Sequence, residues 1–313
     1  AGHTRIFDWD GTTWNQLGSD IDAEAAEDQA GYAVSMNDAG DRIAIGANYN
    51  DGAGTNTNSG HVRIYDWNGS SWAQVGSDIN GEAAGDESGY SVSLNKTGNL
   101  VAIGAPKNDG TGSDGGQVRV YSYNGSSWSK LGQDIDGEAA YDYFGSSVAL
   151  NDDGDRLIVG ATNNSANGPS SGHIRIFDWN SSSNTWVQAG DDLDGEAAGD
   201  QSGYAIAINA FGNIIASGAP NNAGSGTGSG HVRVYQSNLC NIPLSVELLN
   251  NADATFDYTD SVYCSNASDP TPNISGTNGG LFTSTAGLAL DSATGVIEVS
   301  ARSLGNYTVM SSL

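Results

Sequence analysis

The 313-residue sequence is poor in positive charge, cysteine, proline, methionine and long apolar runs, and each scarcity excludes something. Eleven Lys and Arg stand against 37 Asp and Glu, a formal net charge of −26. A field of that sign repels phosphate backbones and anionic lipid, which argues against nucleic acid and bare membrane as partners. No run of about 18 apolar residues exists, so no segment reads as a membrane-inserted helix. The two cysteines, Cys240 and Cys264, allow one disulfide in an oxidising compartment and leave its formation open. Chemistry-bearing motifs are also missing: there is no H-E-x-x-H pair and no Gly-rich turn between a strand and a helix.

What is abundant is glycine, 44 residues of it, with Asn, Asp, Ser, Ala and Val. Gly, Asn and Asp tolerate positive φ and bond their own backbone at bends, so this mixture suits short strands joined by tight turns rather than long helices. The sequence also repeats itself. Aligned starts fall at His3, His61, Gln117, His173 and His231, in steps of 58, 56, 56 and 58. One copy reads HVRIYDWNGSSWAQVGSDINGEAAGDESGYSVSLNKTGNLVAIGAPKNDGTGSDGG. HVRIYDW ends at Asn68-Gly69, a hairpin signal, and SWAQVGSDI returns. After the connector come YSVSL, a turn at Lys96-Thr97-Gly98, and LVAIGAP. Four short antiparallel strands per unit predict an all-β fold of β-propeller blades rather than a two-sheet sandwich. Whole blades are expected at roughly 31–76, 89–132 and 145–190. The array opens in mid-blade, at residues 3–18, and three strands close it at about 203–236, so a larger ring whose beginning is missing is expected, and the chain reads as a piece of something longer.

Y-x-V-S-[LM]-N followed by I-G-A-[PN], with Phe144-Gly145 before SSVAL and Gly104-Ala105-Pro106 and Gly218-Ala219-Pro220 ending strands, resembles the FG-GAP repeat. That family forms the blades of the integrin α-subunit propeller and of many bacterial surface proteins. DGEAAGD before YSVSL and GHVRIYDWNG after LVAIGAP are similar to arrays in large secreted proteins of marine Bacteroidetes. The resemblance covers residues 1–236. A linker or entering strand is expected at 237–251. Residues 252–313 then resemble an Ig-like β-sandwich module of adhesins, with alternation at Gly295–Val299 and Tyr307–Val309 as independent support for strands. The triplets Asp260-Ser261-Val262 and Asp291-Ser292-Ala293 resemble O-glycosylation sites of that bacterial group.

Every copy carries D-x-[DN]-x-E-x-x-x-D in its connector: Asp20, Asp22, Glu24, Asp28; Asp78, Asn80, Glu82, Asp86; Asp134, Asp136, Glu138, Asp142; and Asp192, Asp194, Glu196, Asp200. Oxygen ligands at these offsets suit a loop around Ca²⁺, and the resemblance implies calcium loops with the same offsets. Two features differ from that pattern. Ala stands at position 6 of the motif, where the sharp turn needs Gly, and the connector precedes YSVSL, whereas the family's loop follows that strand. The alternative partner is arginine. Arg5, Arg63, Arg119, Arg175 and Arg233 share one repeat position, and an arginine fixed on a strand needs a carboxylate.

The histidines at the copy starts, replaced by Gln117 in one copy, read as packing or turn contacts rather than ligands or bases. Trp9, Trp67 and Trp179 (Tyr123 in one copy) recur with Trp14, Trp72, Trp128 and Trp186 at the hairpin and read as packing between blades, with sugar stacking the other option. Together these features predict a non-enzymatic extracellular or cell-surface protein that binds glycan or protein ligands in adhesion. Two rival classes stand beside it: a self-associating spacer of a giant adhesin, and a polysaccharide-active enzyme on a propeller scaffold.

Overall fold

The computed structural model describes residues 1–52 and 57–236 and, beyond them, only the strands Val246–Leu249, Thr255–Asp257, Asn273–Ser275, Leu281–Ser284 and Tyr307–Ser312. Among the described residues all regular structure is β, in small sheets. The chain divides into two compact units, Ala1–Gln236 and Ser237–Leu313.

Three copies build antiparallel sheets on one plan. In the first, Ala33–Met36, Arg42–Ala47, His61–Trp67 and Trp72–Gln74 lie side by side in that order. The next two sheets span Ser91–Asp136 and Phe144–Asp194. A further copy supplies Ala205–Ile208, Ile214–Ala219 and His231–Gln236, and the leading residues pair as His3–Thr4 with Ile21–Asp22 and Phe7–Trp9 with Trp14–Gln16.

The return strand expected over Ser71–Ile79 arrives in two pieces. Val75 N–H still reaches the Ile64 carbonyl at 2.8 Å. Gly76 then takes a φ of 76°, and the chain leaves the edge before Ile79–Asn80 pairs with His61–Val62. The break has a cause in the neighbouring copy: a Cβ on Gly76 would stand 2.8 Å from Trp128 Cδ1. The aromatic ring occupies the space that a continuous strand with a side chain would need.

Among the described residues of Ala1–Gln236, the sheets share cores with their neighbours. Ala44, Val62 and Ile64 of the first full sheet pack against Val92, Leu94, Val101 and Ile103 of the second. Val118 and Val120 of the second meet Val148, Leu150, Leu157 and Val159 of the third. The second strand of each full sheet is covered on both faces, which is why VAIGA is a continuous apolar run and not an alternating one. Such a unit cannot bury its apolar face alone, so stability comes from stacking neighbours.

The signature glycines mark where neighbouring backbones touch. A Cβ on Gly104 would lie 2.0 Å from the Gly145 carbonyl oxygen, and Gly145 itself holds φ at 88°. Gly46 with Gly89 and Gly160 with Gly203 repeat the contact. The motif is therefore an inter-copy contact written in sequence.

In the second unit Tyr307–Ser312 lies between Val246–Leu249, to which it is parallel, and Leu281–Ser284, to which it is antiparallel. Thr255–Asp257 pairs with Asn273–Ser275. The strand expected at Gly295–Val299, both cysteines and both glycosylation-type triplets fall outside the described residues.

Candidate functional site

The acidic connectors are built alike, and their four motif side chains point in different directions. The last aspartate turns inward. Asp28, Asp86, Asp142 and Asp200 are buried and accept the N–H of Ala25, Ala83, Ala139 and Ala197 at 2.8–3.1 Å. Three of them also accept a side-chain amide, from Asn108, Asn164 and Asn222. The first aspartate is held from four residues back: Gln16 donates to Asp20, Gln74 to Asp78, Lys130 to Asp134 and Gln188 to Asp192. The second acidic position lies on the short edge strand, with Asp22 opposite His3, Asn80 opposite His61, Asp136 opposite Gln117 and Asp194 opposite His173.

The glutamate reaches the next copy. Glu24 stands 3.5 Å from Arg63, Glu82 3.5 Å from Arg119, Glu138 3.9 Å from Arg175, and Glu196 pairs with Arg233. The same guanidinium groups donate to connector carbonyls, Arg63 to Asp22, Arg119 to Asn80 and Arg175 to Asp136, at 2.8, 3.0 and 3.3 Å. Arg63 and Arg119 are buried. An unpaired buried guanidinium would be costly, and here carbonyl and carboxylate both answer it. Arg5, at the front of the array, is exposed.

The turn after the first strand of each sheet, where the family resemblance would place a calcium loop, is closed by an asparagine. The side-chain oxygens of Asn37, Asn95, Asn151 and Asn209 accept the N–H five residues on at 2.9–3.0 Å. Two arginines that the repeat alignment does not single out also bridge copies. Arg42 forks onto Asp66 at 2.5 and 2.6 Å and donates to the Gly98 carbonyl of the next copy, and Arg156 does the same with Asp178 and Gly212. Their signal in the sequence is a basic residue opening the apolar second strand.

The paired aromatics join copies as well. Ring centroids in the pairs Trp67–Trp72, Tyr123–Trp128 and Trp179–Trp186 are 5.1–5.5 Å apart. The indole N–H of Trp72, Trp128 and Trp186 donates to the carbonyl of Leu17, Val75 and Leu131 in the preceding copy. Trp14 is exposed, while Trp186 is buried.

Acidic and histidine side chains do converge in two places among the described residues, each drawing on two connectors. Glu24, His61 and Asp78 form one group and Glu138, His173 and Asp192 the other, with ligand atoms all within 4.8 Å. Burial holds both imidazoles below their ordinary basicity, aided at His61 by the Arg63 charge. Burial and the nearby Asp192 charge push the Glu138 carboxyl up, against the opposing pull of Arg175.

Gly168-Pro169-Ser170-Ser171-Gly172 spells G-x-S-x-G, but it is a turn between two strands with no helix after it. Ser170 has a φ of 53°, as Asn58 and Asp114 have 56° and 52° at the same place in their copies. The serine is one variant of a recurring turn residue, and its setting is not a nucleophile elbow.

Together the stacked sheets, shared cores and inter-copy ion pairs define an all-β protein of repeated small sheets. Residues 135–177 match the FG-GAP repeat. That segment runs from one edge strand through the next copy's first three strands. In fold the chain is similar to a candidate 6-phosphogluconolactonase from Bacteroides uniformis, at 12% identity and a TM-score of 0.53, over 76% of this chain and 61% of that one. It is also similar to hydrazine synthase of Kuenenia stuttgartiensis, at 11% identity and a TM-score of 0.39, over 85% and 59% of the two chains. The chain thus spans about three fifths of the length of each. At such identity the first likeness speaks to fold alone. No curated protein matches the chain in sequence.

Proposed function

We propose that this chain is a non-catalytic binding part of an extracellular surface protein, with a propeller-type array that presents loops to a glycan or protein ligand. The observation that carries the reading is the use made of the recurring polar residues. Arginines, glutamates, inward aspartates and tryptophans repeat copy after copy and bond to the neighbouring copy or to their own turn. An active site normally breaks such symmetry, whereas a scaffold keeps it. The FG-GAP match supports the same class. The test is binding without turnover. The full chain is expected to bind immobilised surface glycans or proteins and to leave them intact by mass spectrometry. Steady release of cleaved glycan, or hydrolysis of 6-phosphogluconolactone, would overturn the reading in favour of an enzyme.

For the connectors we favour arginine pairing over a calcium cage, because the glutamate and the inward aspartate already have protein partners. Millimolar calcium added to metal-stripped protein is then expected to leave the melting temperature unchanged. A cation held at 100 times its Kd would add about 2.7 kcal/mol per site, and a rise of that size would establish calcium in the connectors.

A further inference from the structure

The second converging group deserves a chemical account, because its central residue is unsatisfied. His173 is fully buried, and neither ring nitrogen has a hydrogen-bond partner. Its Nδ1 faces Asp192 Oδ2 at 3.7 Å and Asp194 Oδ1 at 3.8 Å, and that Asp194 oxygen is itself buried without a partner. Buried polar atoms are paired in the great majority of cases, so two unpaired ones facing each other, His173 Nδ1 and Asp194 Oδ1, indicate something that binds there.

Charge points the same way. Around His173 stand three carboxylates, Glu138, Asp192 and Asp194, against one guanidinium, Arg175. That leaves a deficit of two positive charges. Arg175 directs its short bonds elsewhere, to Gln188 Oε1 at 2.5 and 3.1 Å, and stands 3.6 and 3.9 Å from Asp192 and Glu138, beyond hydrogen-bond length.

A third observation comes from the copy that lacks the histidine. There Gln117 replaces it and donates to Asp136 at 3.2 Å. Lys130 stands where the other copies have Gln16, Gln74 and Gln188, and its ammonium bonds both oxygens of Asp134 at 2.8 and 2.9 Å. Lys130 is one of three lysines in the chain. Where the imidazole is absent, a built-in cation sits on the equivalent aspartate.

We propose that Glu138, His173 and Asp192 bind a divalent first-row transition metal, for which zinc is the probe, and that Glu24, His61 and Asp78 form a second such site. An imidazole nitrogen with carboxylate oxygens selects ions of the zinc type, whereas calcium takes oxygen ligands alone. The ion would bridge copies, since its ligands come from two connectors and the strand between them. Glu138 is exposed, so its carboxylate can swing inward and leave one side of the ion to water. The carboxylate ligands are connector residues, so this ion would take the place of calcium there, and the proposal does not depend on the adhesive reading.

The experiment uses the full chain stripped of metal. With only four histidines in the sequence, imidazole proton resonances in NMR can be assigned individually. Titration with zinc is expected to move the His61 and His173 signals and leave those of His3 and His231 in place, with two equivalents bound by calorimetry. Millimolar calcium should move neither. His173→Gln, which copies the residue already accepted at position 117, is expected to weaken zinc binding at that site at least tenfold and remove one equivalent. An unmoved His173 signal at stoichiometric zinc overturns the proposal in the wild-type protein, whatever the variant does. Unchanged stoichiometry in His173→Gln does the same.

Discussion

At the scale of single residues, one repeat position shows how backbone demand and sequence disagree. Gly85 and Gly199 hold φ at 88° and 84°, while Glu27 and Tyr141 occupy the same place at 71° and 67°. The left-handed region costs a residue with a Cβ about 1 kcal/mol, partly offset by glycine's larger unfolded-state entropy. Tyr141 is exposed, so little packing is lost with its ring. Tyr141→Gly is therefore expected to raise stability by about 0.5 kcal/mol, read as a higher urea midpoint at unchanged slope. A lower midpoint would show that the phenol ring makes a contact worth more than the strain. Which residue types recur is plain from the sequence. Where each side chain goes is not, because D-x-[DN]-x-E-x-x-x-D suits a wrapped loop and a splayed one equally well. The splayed form arises because Asp86 has Ala83 and Asn108 as donors, and Glu82 has Arg119 within reach from a copy 37 residues further on.

At the scale of elements, the backbone contact between copies sets the sharpest test. A Cβ on Gly104 would come within 2.0 Å of the Gly145 carbonyl, while one on Gly218, the equivalent residue of the last described copy, would meet nothing closer than 3.5 Å among the described residues. Gly104→Ala is expected to cost about 3 kcal/mol through forced separation of two sheets. Gly218→Ala should be neutral or slightly stabilising by the unfolded-state term. Equal effects in thermal melts would mean that the motif glycines serve their own strand and not the junction. The strand sequence order was legible, since alternation, the Asn-Gly turn and the VAIGA run each carry a local cause. The break in the return strand at Gly76 was not, because it answers to Trp128, a side chain supplied by another copy.

At the scale of the whole molecule, shared cores predict graded stability. Leu100–Ala105 has a full sheet on either side and Arg156–Ala161 has a full sheet on one side and a three-stranded one on the other, whereas Val232 and Val234 of the last described copy are exposed. In a nearest-neighbour array the end units open first. Hydrogen exchange is expected to be at least tenfold slower in the two inner second strands than in Ile214–Ala219. Equal protection throughout would show a single cooperative unit instead.

By itself the sequence determined the all-β class, the repeat length and its FG-GAP likeness, because periodicity, turn chemistry and glycine demand act over a few residues. Its positive charge is scarce, 11 basic residues against 37 acidic ones. The tertiary structure alone decided how that scarcity is used: arginines join neighbouring copies. An arginine and a glutamate lying 37 or more residues apart in sequence become neighbours only when the copies stack, and no local pattern encodes which carboxylate such an arginine will meet.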